Sequence, residues 1–367
     1  MRIGITCYPT YGGSGIVATE LGLELANRGH QIHFITYANP IRLGERPDIL
    51  YHEVEVSNYP LFQYPPYCLA LASRMAEVAE QYSLDLLHVH YAIPHSVSAM
   101  LAKGILSSQR RLPFVTTLHG TDITLVGMDR SYYPITKYSI EQSDGVTAIS
   151  EDLRRHTVEV FDVAKPIETI HNFVNSELYR PSEERTPGPP RLIHLSNFRP
   201  VKRVTDCIRV LAEVRKSVEA ELWMVGDGPD RGAAERLAHD LGLIGAVRFL
   251  GKRNDVPALL READVLLMPS EMESFGLAAL EGMSSGVVPL GTNVGGVPEL
   301  ITDGVDGYLC EVGAVETMAA QAAGLLSDLD RCREMGREAR QTAVERFSTD
   351  LIIPQYEALY RRVTEGG

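Results

Sequence analysis

The stretch DVLLMPSEMESFGLAALEGMSSGVVPLGTN, residues 264–293, reads as strand, loop, helix and strand. Its two apolar runs, DVLLMPS and VVPLGTN, suit strands buried on both faces, and the segment between them is rich in Ala, Leu and Met. Inside it stand Glu273 and Glu281, with Ser274-Phe275-Gly276 between the first strand and the helix. A helix starting near Gly276 puts Leu277 and Glu281 at i and i+4, on one face. Its first-turn amides have no intrahelical partner and suit a diphosphate. Glu281, one turn further in among Ala278, Ala279, Leu280 and Met283, is placed to accept hydrogen bonds from a ribose. Glu273, in the loop, reaches a sugar on the far side of the phosphates. The competing reading is two solvent-facing glutamates, and the apolar surroundings of Glu281 count against it.

The same alternation runs outward in both directions. RIGITC, QIHFITYA, LDLLHVH, FVTTLHG and GVTAIS precede it, with helical patterns at 14–28, 96–106 and 133–142. RLIHLSN, ELWMVGDG, VRFLG and GYLCEV complete the second half. Such alternation predicts parallel sheets covered by helices. The charged, proline-rich YRPSEERTPGPP, residues 179–190, reads as a linker. The expected organisation is a Rossmann-like domain over 1–178, a second over 191–351, and a closing amphipathic helix over 352–365, centred on PQYEALYRRV. Open parallel sheets bind ligands at the carboxyl ends of their strands, so two facing domains imply a cleft into which strand-end motifs point.

Those ends carry the unusual residues. YPTYGGSGIVATELG, residues 8–22, contains Gly13-Ser14-Gly15-Ile16-Val17-Ala18, which matches a dinucleotide fingerprint. The fingerprint requires an acidic residue after the second strand, and none occurs from Gln31 to Gly44. The loop therefore reads as a helix N-terminus facing another polar ligand or as a plain structural turn. SNFRPVKR gathers Asn197, Arg199, Lys202 and Arg203 where a strand ends, and cations there neutralise a diphosphate leaving group. TTLHGTD presents His119, Gly120 and Asp122; HVHYAIPH adds His88, His90 and His95. His88 and His90 share a strand face, but no third ligand is spaced to complete a metal site.

Composition bounds the partners. The chain has 367 residues, 44% of them hydrophobic, and a formal net charge of −13, which argues against nucleic acid as a partner. No apolar run approaches the roughly 18 residues that a membrane span requires. The opening MRIGITC enters a strand at once, so no signal peptide is expected. Five scattered cysteines suit reduced thiols and a cytoplasmic protein.

Together, Glu273-x7-Glu281, Lys202, His119 and the GGSG loop resemble the retaining glycosyltransferases of family 4, over essentially the whole chain. The resemblance implies an α/β GT-B fold: two facing Rossmann-like domains, a cleft, and a C-terminal helix crossing back to the first domain. It implies catalytic roles for His119, Lys202 and Glu273. It implies donor binding by Gly13, Ser14, Gly15, Asn197, Arg199, Lys202, Ser274, Phe275, Gly276, Leu277 and Glu281. Many members carry Arg where this chain has Asn197, so the diphosphate contact is open between Asn197 and Arg199. The strings GITCYPTYGGSGIVATELG, HYAIPH, TTLHGTDIT, SNFRPVKRV and ESFGLAALEGM further imply UDP-GlcNAc as donor and L-malate as acceptor, the first step of bacillithiol synthesis. A dicarboxylate beside a diphosphate needs donors and a cation; Ser14, Tyr91, Thr121 and Lys137 are the candidates. No cofactor and no metal are expected, and a homo-oligomer remains open. Another acceptor, a phosphorylase or epimerase, or a non-catalytic sugar-nucleotide sensor are the competing functions.

Overall fold

The computed structural model describes all residues except 11, 42, 44–45, 58–59, 62, 183–185 and 367. The chain divides into two compact units, Met1–His171 with the segment from Ile352, and Asn172–Leu351.

The first unit is a seven-stranded sheet in the order β3-β2-β1-β4-β5-β6-β7. Its strands are β1 (Arg2–Thr6), β2 (Gln31–Thr36), β3 (Ile49–Glu53), β4 (Leu86–His90), β5 (Phe114–Leu118), β6 (Gly145–Ala148) and β7 (Glu168–Thr169), and all pairings are parallel. β4 and β5 are buried along their whole length, as strands covered on both faces must be. Met75, Val78, Leu87, Val89 and Phe114 share one core cluster. β3 lies at the edge and is half-buried, which is why it carries no continuous apolar run.

The second unit is a six-stranded parallel sheet in the order β10-β9-β8-β11-β12-β13. These are β8 (Arg191–Leu195), β9 (Glu221–Val225), β10 (Val247–Gly251), β11 (Val265–Met268), β12 (Val288–Thr292) and β13 (Tyr308–Cys310). Parallel order brings strand ends together: β1, β4 and β5 are neighbours in one sheet, β8, β11 and β12 in the other. Loops that follow neighbouring strands leave at the same edge of the sheet, and this positions every motif named above.

By packing, the second compact unit begins at Asn172. Tyr179, expected to open a linker, is buried: its hydroxyl donates to Glu281 Oε1 at 2.7 Å and its carbonyl accepts from Ser284 Oγ at 2.6 Å. Residues 183–185 of the expected linker lie outside the described residues. The last helix runs Thr349–Glu365 and buries Ile352, Ile353, Tyr356, Leu359, Tyr360 and Val363, the apolar stripe of an amphipathic helix. Tyr360 OH and His88 Nδ1, 2.7 Å apart, tie it into the first unit.

Candidate active site

In the second unit the loop after β8 ends in a short turn, Pro200–Lys202. Lys202 Nζ donates to Glu273 Oε1 at 2.5 Å. Ser270 Oγ donates to the same oxygen at 2.9 Å, and the Glu271 amide bonds the Val201 carbonyl at 2.7 Å, so the β8 and β11 loops are joined twice. Gly276 adopts φ +97°, left-handed backbone that favours glycine. It turns the chain into the helix Leu277–Ser284, whose N-terminus has no side-chain cap. Its first-turn amides therefore stay available for an anion. Phe275 beneath them is buried, its ring 5.5 Å from Phe347 in an edge-on arrangement. Glu281 is 7% exposed and accepts the Tyr179 hydroxyl, which satisfies one oxygen of a carboxylate that burial would otherwise penalise.

Asn197 is half-buried and its Oδ1 has no hydrogen-bond partner, whereas Arg199 is exposed. Ser274 and Leu277, on either side of Phe275 and Gly276, are both half-buried.

In the first unit, helix Gly13–Asn27 also starts without a side-chain cap. A Cβ on Gly15 would collide with the Tyr8 and Thr10 carbonyls. That glycine is therefore demanded by the chain's own path over the helix start. Gly13 is exposed and Ser14 half-buried.

His119 follows β5 and is 7% exposed. Its loop is held by Asp122, a buried carboxylate. Asp122 Oδ1 accepts the His119 and Gly120 amides at 3.2 and 2.9 Å, and Oδ2 accepts the Ala92 amide at 2.8 Å. One side chain thus binds the β4 and β5 loops together. Burial raises its carboxyl to about 6, against those three donors, which pull it down. The three N–H donors favour its ionised form. The Tyr91 ring stacks on His119 with centroids 5.4 Å apart. Tyr91 itself has φ +91°, a strained conformation for a non-glycine residue. Tyr8, from the glycine loop, meets Tyr91 edge-on at 5.3 Å. Thus β1, β4 and β5 contribute Tyr8, Tyr91 and His119 to one cluster.

His88 and His90 stack with centroids 4.5 Å apart. His88 bonds Tyr360 and Thr117, each at 2.7 Å, and His90 Nδ1 lies 2.8 Å from His119 Nε2. Their role is internal bonding. Among the described residues no three His, Cys, Asp or Glu side chains are grouped so as to hold a metal ion.

Thr121, beside Gly120, is half-buried. Lys137 is not brought to this cluster. Its ammonium donates to the Asp162 carbonyl at 2.8 Å, closing the C-terminus of helix Glu151–Phe161, a favourable place for a cation. In this fold Lys137 acts as a helix cap.

Three residues that hold these sites were given no role from sequence. Asp122 sits three positions after His119, the spacing of a side chain folding back on its own turn, and was legible in principle. Ser270 and Tyr179 carried no signal, because their partners are remote in the chain.

Two parallel-sheet Rossmann-like units make up the double α/β architecture of the GT-B glycosyltransferases. Residues 11–178 match Glycosyltransferase Family 4 and residues 175–342 match Glycosyl transferases group 1. The chain belongs to the family 4 glycosyltransferases. It is 48% identical to N-acetyl-alpha-D-glucosaminyl L-malate synthase of Bacillus anthracis, over 98% of this chain and 96% of that protein. It is 26% identical to D-inositol 3-phosphate glycosyltransferase of Nocardia farcinica, over 89% and 80% of the two chains. Among solved structures, sucrose-phosphate synthase of Thermosynechococcus elongatus matches with TM-score 0.84 at 20% identity, covering both chains entirely. Anabaena HepE in complex with UDP-glucose matches with TM-score 0.81 at 21% identity, over 98% and 99%. No described helix is long and apolar enough to cross a membrane.

Proposed function

We propose that this chain transfers N-acetylglucosamine from UDP-GlcNAc to the hydroxyl of L-malate with retention, giving GlcNAc-malate and UDP, as the first step of bacillithiol synthesis in the cytoplasm. The observation that carries this reading is the 48% identity, across nearly the full length, to a protein named for that product. In this reading the helix amides at Gly276 and Leu277, with Lys202, hold the diphosphate, and Glu281 binds the ribose. Glu273 meets the sugar hydroxyls, and His119 donates to the 6-hydroxyl of the transferred sugar. Ser14, Thr121 and Tyr91 meet the acceptor.

The reaction needs no covalent enzyme intermediate. UDP departs from an oxocarbenium-like sugar, and the acceptor hydroxyl attacks from the face the phosphate is leaving. The departing phosphate oxygen takes its proton. The protein contributes position, and positive potential where negative charge grows on the diphosphate. Helix amides and Lys202 provide that potential without a metal ion.

The test is a mass-spectrometric screen of UDP-sugars against small hydroxy acids. GlcNAc-malate with stoichiometric UDP is the expected product. Transfer to a different acceptor would move the assignment within the family, and sugar epimerisation without an acceptor would overturn the transferase chemistry.

A further inference from the structure

The ring of His119 has one neighbour that decides where its proton sits. His90 Nδ1 lies 2.8 Å from His119 Nε2, so one of these nitrogens donates and the other accepts. His90 is fully buried, and its other nitrogen, Nε2, has no hydrogen-bond partner. The adjacent His95 shows what that means chemically. His95 Nδ1 lies 2.6 Å from the His90 carbonyl, which can only accept, so His95 carries its proton on Nδ1. Its Nε2 is then a bare lone pair, and it too is buried without a partner.

His90 has the same choice. With the proton on Nε2, an N–H donor would be buried with nothing to accept it, the costlier of the two orphans. With the proton on Nδ1, His90 donates to His119 and leaves only a lone pair unpaired. A doubly protonated His90 would bury that same unpaired N–H, and burial, then His88, His119 and His95, hold it well below the ordinary histidine range. His119 is likewise neutral, pushed down to about 3 by burial. A neutral ring that accepts at Nε2 must carry its hydrogen on Nδ1. That is the nitrogen of His119 outside the buried, unpartnered set, on a residue with residual exposure.

We infer that His90 is a positioning residue: it locks His119 as the neutral Nδ1–H tautomer, so that His119 presents a hydrogen-bond donor to an oxygen of the bound substrate. Tyr91, stacked on the His119 ring, and Asp122, holding its backbone, fix the direction in which that donor points. The buried stack of His88 on His90 keeps the donating ring from turning, since both nitrogens of His88 are already bonded to Tyr360 and Thr117. The tautomer assignment does not depend on the function proposed above. Only its use, donation to a sugar hydroxyl, rests on the function proposed above.

The decisive measurement is long-range proton–nitrogen NMR on the full chain labelled with ¹⁵N-histidine, with His90→Asn and His119→Asn identifying the two rings. The expected pattern is a proton on Nδ1 of both His90 and His119 across neutral pH. A proton on His119 Nε2, or on His90 Nε2, overturns the inference whatever the enzyme's activity. Kinetics then test the use. His90→Leu removes the donor with little change of volume and is expected to lower kcat/KM for UDP-GlcNAc about tenfold, one hydrogen bond's worth, while UDP affinity is unchanged. His90→Asn, whose amide occupies the Nδ1 position, is expected to recover most of that loss. Equal losses in the two variants would show that His90 serves packing and not donation. If wild type transfers no sugar, the functional reading fails by itself and the NMR result still decides the tautomer.

Discussion

Lys202 Nζ and Glu273 Oε1 lie 2.5 Å apart although 71 positions separate them in sequence. Both side chains are mostly covered, at 21% and 14% exposure, so solvent screens the pair incompletely. The glutamate aims the ammonium, and Ser270 aims the glutamate. Removing either charge leaves the other short of a partner in a partly desolvated place. Lys202→Ala and Glu273→Gln are each expected to lower kcat by about 10²–10³, the usual cost of losing one preorganised group at a developing charge. The double variant should cost much less than the product of the two, because they act as a unit. Fully multiplicative losses in steady-state kinetics would show that the pair has no shared role.

Glu281 and Tyr179 form the second long-range pair. Glu281→Gln turns a charge-assisted hydrogen bond to ribose into a neutral one and should weaken UDP binding by about 1–3 kcal/mol. Tyr179→Phe keeps the carboxylate and removes the hydroxyl that orients it; a smaller loss, about 1 kcal/mol, is expected. Calorimetry with UDP measures both. Undiminished affinity in Glu281→Gln removes this residue from the nucleotide site.

Lys137 gives a prediction opposite to the one drawn from sequence. Because its ammonium caps helix Glu151–Phe161, Lys137→Ala should cost at most about 1 kcal/mol of stability, since the side chain is 36% exposed. Its kinetics with L-malate should match wild type. A raised KM for malate alone would return Lys137 to the acceptor site.

On the proposed mechanism, in which the uncapped helix Leu277–Ser284 and Lys202 provide the positive potential at the diphosphate, transfer activity is expected to survive EDTA. The sequence contains one Asp-x-Asp, Asp328-Leu329-Asp330. Here Asp328 caps helix Leu329–Phe347 through the Arg331 amide and Asp330 pairs with Arg333. Loss of turnover with EDTA that Mn²⁺ or Mg²⁺ restores would sink this expectation.

Acid should destabilise the fold earlier than carboxylate titration alone would. Burial holds His88 and His119 at about 3 and His95 at about 4, with His90 lower than the ordinary range as well. Unfolded histidine titrates near 6.5, so below that pH the unfolded chain binds more protons than the folded one. Stability is fully present above about 6.5 and falls with pH, by about 1.4 kcal/mol per unit for each such histidine. Asp122 opposes this: its raised carboxyl takes up a proton in the folded state as pH falls through about 6, offsetting part of one histidine's effect. Urea midpoints should therefore drop between pH 7 and 5.5, and His88→Phe should flatten the slope. A flat midpoint in wild type would mean that these rings are protonated or solvated in the native state.

Much of this protein was legible in one dimension. Apolar runs alternating with helical periodicity determined two parallel α/β units, because burial on both faces of a strand imposes a local pattern that survives without a structure. The motifs at strand ends followed from the same logic: Gly276 before an apolar helix, the glycines ahead of Ile16, His119 after FVTTL. Spacing along a helix is enough to place Leu277 and Glu281 on one face. What sequence could not determine is which side chains meet across the sheet. Lys202 with Glu273 and His90 with His119 join the ends of neighbouring strands and the loops that follow them, and Tyr179 joins an irregular segment to a helix; pairing order, which brings β8 beside β11 and β4 beside β5, has no local signature. Lys137 shows the converse. Its position in the chain suggested a ligand, and the tertiary fold put a helix C-terminus within its reach first. Direction belongs to packing: a side chain's chemistry is written in its type, but the partner it spends that chemistry on is settled by the elements that close around it.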